Sequence, residues 1–174
     1  MINLVIWNEF LHEKENDQVK SIYPKGIHEC IKEFLSKDKE LSISTATLEE
    51  KDHGLSEELL EKTDVLIWWG HKAHKLVEDK IVDRIQQRVL EGMGLLVLHS
   101  GHHSKIFKRM MGTTANLRWA ERGEKERIWV CNPGHPIADG LDEYFEIEMT
   151  EMYGEPFQVP VSYTHLTLPT TLQV

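Results

Sequence analysis

Residues 64–103, DVLIWWGHKAHKLVEDKIVDRIQQRVLEGMGLLVLHSGHH, decide the fold. Asp64–Gly70 is a continuous apolar run ending at a glycine, the pattern of a strand buried on both faces. Leu76, Val77, Ile81, Ile85 and Val89 follow at helical spacing and predict a helix over about 73–91, ended by Gly92 and Gly94. Gly94–His99 is a second apolar run. Strand, helix, strand in this order is the unit of a parallel sheet with right-handed crossovers.

The same alternation extends upstream. Ile2–Trp7 (INLVIW) reads as a buried strand, and residues 8–21 as a polar connection too long for a tight turn. Pro24 precedes a helical recurrence of Ile27, Cys30, Ile31, Phe34 and Leu35, so a helix is expected over roughly 25–37. Leu41–Leu48 alternates like a strand, and Ser56 can cap a short helix, Ser56–Lys62. Downstream, Ser104–Met111 reads as a short helix closed by Gly112. The pattern then changes to a hairpin of Asn116–Glu121 and Arg127–Cys131 around the turn RGEKE, a loop with a helical turn over Pro133–Leu141, and a strand Tyr144–Met149. The expected class is α/β: a mostly parallel sheet with helices on both faces.

The chain of 174 residues is 40% hydrophobic and 28% charged, which predicts a folded core rather than disorder. A formal charge of -9 argues against broad phosphate-backbone binding, so no nucleic-acid partner is expected. No apolar run approaches a membrane span, and MINLVIWNEF carries no basic leader region. The two cysteines, Cys30 and Cys131, form no CxxC pair, so a reducing cytoplasm is the expected compartment. The glycines of VLEGMGLLV stand before a strand, not after one, and no P-loop occurs; no nucleotide cofactor is expected. Residues 161–174, VSYTHLTLPTTLQV, lack Asp, Glu, Lys and Arg and resemble translated vector sequence, so they are read as a non-native tail on a domain spanning 1–160.

Ligands of such sheets bind beyond the carboxyl ends of the strands, at a topological switch point. There the sequence puts Trp7, Asn8 and Glu9; Trp68, Trp69, Gly70, His71 and His74; His99, Ser100, Gly101, His102 and His103; and Glu148–Tyr153. Histidine can serve there as acid, base or metal ligand. Tryptophan offers a flat apolar face to a sugar ring. Trp68 and Trp69 are consecutive and point to opposite faces, so at least one fills the core. His53 is assigned to the surface, and Glu13, Glu15 and Asp17 to a solvated charge run. GLLVLHSGHHS is comparable with a nucleophile elbow, with His99 and Ser100 in the turn; Ser100 could be a nucleophile only with a base within reach.

The stretches VIWNEFLHEK, IYPKGIHE, VLIWWGHKAH, RVLEGMGLLVLHSGHHSKIFKRMMGTT, NPGHPIADGL and EMYGEPF resemble the ThuA-like (trehalose utilisation protein) family, collinearly from residue 2 to about 160. The resemblance implies a class I glutamine amidotransferase-like, flavodoxin-like three-layer fold. It also implies a role in using trehalose and related disaccharides, often alongside oxidoreductases that make 3-keto sugars. His99 or Ser100 stands where amidotransferases carry a cysteine, so no glutaminase activity is expected. The family's closing segment is expected to be missing after Pro160, leaving the sheet edge exposed and the pocket incomplete.

The combined expectation is a protein that acts on or binds a disaccharide or keto-sugar. His71, His99 and Glu151 would be catalytic. Trp7 and Trp69 would stack on the sugar, and Asn8, Glu9, Ser100 and His102 would bind and orient it. A divalent metal, zinc first, would be held by His71 and His99. A homo-oligomer is compatible with the sequence. Two other readings stay open: a non-catalytic sugar-sensing or partner-binding module, and a hydrolase using Ser100.

Overall fold

Val5, Ile6 and Trp7 are buried because β1, Ile2–Asn8, runs through the middle of a four-stranded sheet. The structure, a computed structural model, describes residues 1–159; the 161–174 tail reading lies outside the described residues. β1 pairs in parallel with β2 (Leu41–Thr47) on one side and β3 (Val65–Trp69) on the other, and β3 pairs in parallel with β4 (Gly94–Leu98). The order β2-β1-β3-β4 is that of the flavodoxin-like doubly wound sheet. Its switch point lies between β1 and β3, where the chain turns from building the sheet one way to building it the other.

Alternate residues feed two cores. Val5, Trp7, Leu66 and Trp68 face one side and pack with Leu60 of α4 (Glu57–Lys62), Ile81, Val82 and Ile85 of α5 (Asp79–Leu90) and Ile106 of α6 (Lys105–Met111). Leu4, Ile6 and Ile67 face the other side, against Ile31 and Leu35 of α3 (Ile27–Leu35). The three-layer arrangement expected from the sequence is present. Trp68 fills the core at 1% exposure, and Trp69, pointing the other way, is half-buried.

Caps fall where the sequence put them. Ser56 Oγ accepts from the Leu59 amide at 3.2 Å and Ser104 Oγ from the Phe107 amide at 3.2 Å. Gly112 closes α6 with φ of +67°, a left-handed cap that glycine adopts without strain.

Three elements differ from the expectation. The polar connection after β1 contains two short helices, α1 (His12–Glu15) and α2 (Asp17–Ile22), the second capped by Asn16. The helix expected over 73–91 is split into a 3₁₀ turn, His74–Leu76, and α5, because the Glu78 amide, at the break, donates to His53 Nε2 at 3.1 Å. The 116–131 hairpin does not form. Residues 118–129 make one strand, β5 (Arg118–Trp129), paired antiparallel with β6 (Tyr144–Gly154). Gly123, at φ +71°, absorbs a bulge instead of a turn, and Arg127 and Lys125 pair across to Glu146.

Within the span read as one domain the chain forms two compact units, Met1–Ala115 and Asn116–Gln158. The first holds the parallel sheet and the second the β5–β6 ribbon. Among the described residues no helix is long and apolar enough to cross a membrane.

Candidate functional site

The carboxyl ends of β1 and β3 meet through Glu9. Its amide donates to the Trp69 carbonyl at 3.3 Å, and its carboxylate accepts from the Lys72 amide at 2.7 Å and the Ala73 amide at 2.9 Å. Glu9 is 1% exposed and clamps the loop that leaves β3. Gly70 permits the approach, since a Cβ there would lie 3.3 Å from Glu9 Oε2. Asn8 is likewise internal. Its Nδ2 donates to Glu13 Oε1 at 2.7 Å and to His28 Nδ1 at 2.9 Å, and its Oδ1 accepts from the Phe10 amide at 2.8 Å.

Above this buried support sits a row of rings. Trp69 stacks toward His71 with centroids 6.2 Å apart, and His71 stacks on His12 of α1 at 4.8 Å and 11° between planes. His71 is exposed, and Trp69 and His12 are half-buried. The end of β4 is tied to the same loop, because the Ser100 hydroxyl donates to the Gly70 carbonyl at 2.9 Å. His99 opens the following 3₁₀ turn with φ of +41°, a left-handed conformation that costs a non-glycine residue about 1–3 kcal/mol. Gly101 is buried against the sheet, where a Cβ would come within 2.8 Å of Val97 Cγ1. A strained residue between an apolar strand and a small residue is the elbow geometry anticipated from GLLVLHSGHHS.

Three histidines here are held toward their neutral form. Burial pushes His74 down to about 4; the Glu9 carboxylate opposes the shift, while His103, Lys108 and His71 add to it. Burial also lowers His28 and His102, the latter against the raising effect of its bond to the Ala115 carbonyl at 2.7 Å.

A family model described as trehalose utilisation, ThuA, matches residues 3–173. The chain belongs to the ThuA family. The fold of this ThuA chain is similar to the crystal structure of a proposed ThuA-like protein from Bacteroides uniformis ATCC 8492, with a TM-score of 0.64 and 15% identity. The similarity covers 87% of this chain and 60% of that one, so the ThuA chain spans less than two thirds of that protein's length. No curated protein matches the chain.

In the ThuA chain the residues singled out from sequence divide into three groups. Trp69, His71, His99 and Ser100 stand together at the ends of the neighbouring strands β3 and β4. Trp7, Asn8, Glu9 and His102 are placed inside. Trp7 is not an open platform: it is 1% exposed, stacks on Trp68 at 3.7 Å and donates its indole N–H to the His53 carbonyl. Asn8 and Glu9 spend their polar atoms on the fold, and His102 is 7% exposed, its Nδ1 facing the Ala115 carbonyl. Glu151 lies on β6 in the second unit, where burial, then the Glu151 charge, pushes Tyr153 up to about 12.

His53 is a correction. It is buried, not on the surface, with Nδ1 2.6 Å from the Leu48 carbonyl and Nε2 accepting from Glu78. Glu13 is another: it is 2% exposed, its Oε1 accepts from Asn8 and the Ile27 amide, and its Oε2 is buried without a hydrogen-bond partner among the described residues. The sequence reading also passed over His12, which joins the ring row because α1 folds back beside the end of β3. Among the described residues no group of three or more His, Cys, Asp or Glu side chains is placed to hold a metal ion.

Proposed function

We propose that this ThuA-family chain binds a disaccharide or keto-sugar of trehalose utilisation at the switch point between β1 and β3 and acts on it there. The observation that carries the reading is the accessible row Trp69–His71–His12, raised on the Glu9 clamp. Trp69 offers the apolar face on which a pyranose ring rests. His71 and His99, both exposed and on adjoining strand ends, are the groups available to take and return a hydroxyl proton. Ser100 donates its proton to the Gly70 carbonyl, so it positions the loop rather than serving as nucleophile. Among the described residues no set of three donors forms around His71 and His99 to hold a metal ion.

The test is calorimetric titration of the purified protein with trehalose and its 3-keto form, combined with turnover followed by NMR. Trp69→Ala should weaken sugar binding about tenfold, a loss of roughly 1.4 kcal/mol. His71→Ala should abolish turnover while leaving the melting temperature nearly unchanged, because the ring is exposed. Binding without turnover would assign the pocket to sugar sensing. No sugar binding, or full turnover in His71→Ala, would end the proposal.

A further inference from the structure

Beside the ring row the loop that follows β3 opens onto a cavity of about 560 Å³. Lys72, His74, Lys75, His103 and Lys108 line it, with no carboxylate among the lining side chains, although the chain as a whole carries a formal charge of -9. Lys72 is tied to Glu15 at 2.5 Å, but Lys75 and Lys108 form no ion pair among the described residues. His74 and His103 meet edge to face at 6.3 Å at the cavity wall. Two lysines lining one concave surface attract an oxyanion, and a concave wall focuses their field.

We infer that this cavity receives the oxyanion group of an anionic sugar, a phosphate or a carboxylate, whose ring lies on Trp69 and His71. The sugar half of this inference rests on the function proposed above; the anion half stands on the cavity lining. The loop that carries His71 also carries Lys72, His74 and Lys75, so the ring row and the cavity share one connecting segment. Lys75 and Lys108 are the specificity-determining residues, because they contact the charged group and not the ring.

The experiment titrates the full chain, at low and at physiological salt, with trehalose, trehalose phosphate, a disaccharide uronate and inorganic phosphate. It compares the wild type with Lys75→Gln/Lys108→Gln, two exposed or half-buried positions whose change should leave the melting temperature intact. The expected result is phosphorylated or carboxylated disaccharide binding at least about tenfold tighter than trehalose, weakened by salt. The double variant should lose that preference and keep its affinity for neutral trehalose. Tighter binding of the phosphate than of the uronate identifies a phosphorylated ligand, and the reverse identifies a sugar acid. Phosphate binding that depends on the two lysines, without any disaccharide binding, would uphold the anion site and overturn the sugar reading. Equal affinity for neutral and anionic sugars, or a preference that survives in the double variant, would overturn the inference.

Discussion

Glu9 exemplifies a side chain whose chemistry is spent inside the molecule. Both carboxylate oxygens accept backbone amides from the loop after β3, and the group is buried. Glu9→Ala strands one buried and one part-buried N–H donor, so a loss of about 1–3 kcal/mol is expected in urea unfolding, with the Trp69–His71 row displaced as well. Unchanged stability would mean that the clamp is replaced by water. His99 runs the opposite way. Its φ of +41° suits glycine, so His99→Gly should hold or slightly raise stability while lowering turnover. A large fall in stability would show the imidazole to be structural. The sequence could not separate these two roles. An acid and a histidine at strand ends on the same edge of the sheet look equally reactive until hydrogen bonds reveal which one the backbone uses. His53 and Glu13 were misread for the same reason: residue type suggested solvent, while the groups that hold them, the Glu78 amide for His53 and the Asn8 side chain and Ile27 amide for Glu13, are brought to them only by the fold.

The strands and their caps were legible because each follows from local physics. Apolar runs mark β1, β3 and β4, of which β1 and β3 are buried at their centres, alternation marks β2, and Ser56, Ser104 and Gly112 carry their own termination chemistry. α1 and α2, of four and six residues, show no apolar stripe for periodicity to detect, and their one local signal is the Asn16 cap. The β5–β6 pairing was missed because RGEKE has turn composition, while Lys125 within it and Arg127 beside it pair with Glu146, about twenty residues on. The elbow after β4 is where element geometry meets the site. Gly101 has Val97 Cγ1 at 2.8 Å and the Trp68 carbonyl at 3.4 Å from where a Cβ would stand. Gly101→Ala should therefore cost about 1–3 kcal/mol and shift Ser100 off the Gly70 carbonyl. Calorimetric melting checks the first, and loss of sugar binding with Trp69 intact checks the second.

The first unit as a whole buries three imidazoles in its carboxyl-end apparatus, and this fixes its response to acid. His74 falls to about 4 through burial, and His28 and His102 are lowered by the same cause. In the unfolded chain a histidine takes up its proton near pH 6.5. Between that value and the folded one the unfolded state binds more protons, so unfolding becomes easier as pH falls. The stability these groups contribute is complete above about pH 6.5 and is lost progressively as pH falls, for His74 down to about 4. For His74, which is only partly enclosed, the loss is on the order of 2 kcal/mol after allowing for solvent screening. Several exposed carboxylates held low by lysine or arginine partners, such as Glu58, Asp79 and Glu146, act the same way but only below their ordinary carboxylate range. The interval from pH 6.5 to 5 therefore isolates the histidines. Urea midpoints measured across it should decline for the wild type and decline less for His74→Asn, which removes the proton acceptor while keeping a polar side chain of similar reach. Parallel slopes in the two proteins would mean that His74 opens to solvent before it titrates, and that the carboxyl-end loop, with its lysine-lined cavity, is held less firmly than the sheet beneath it.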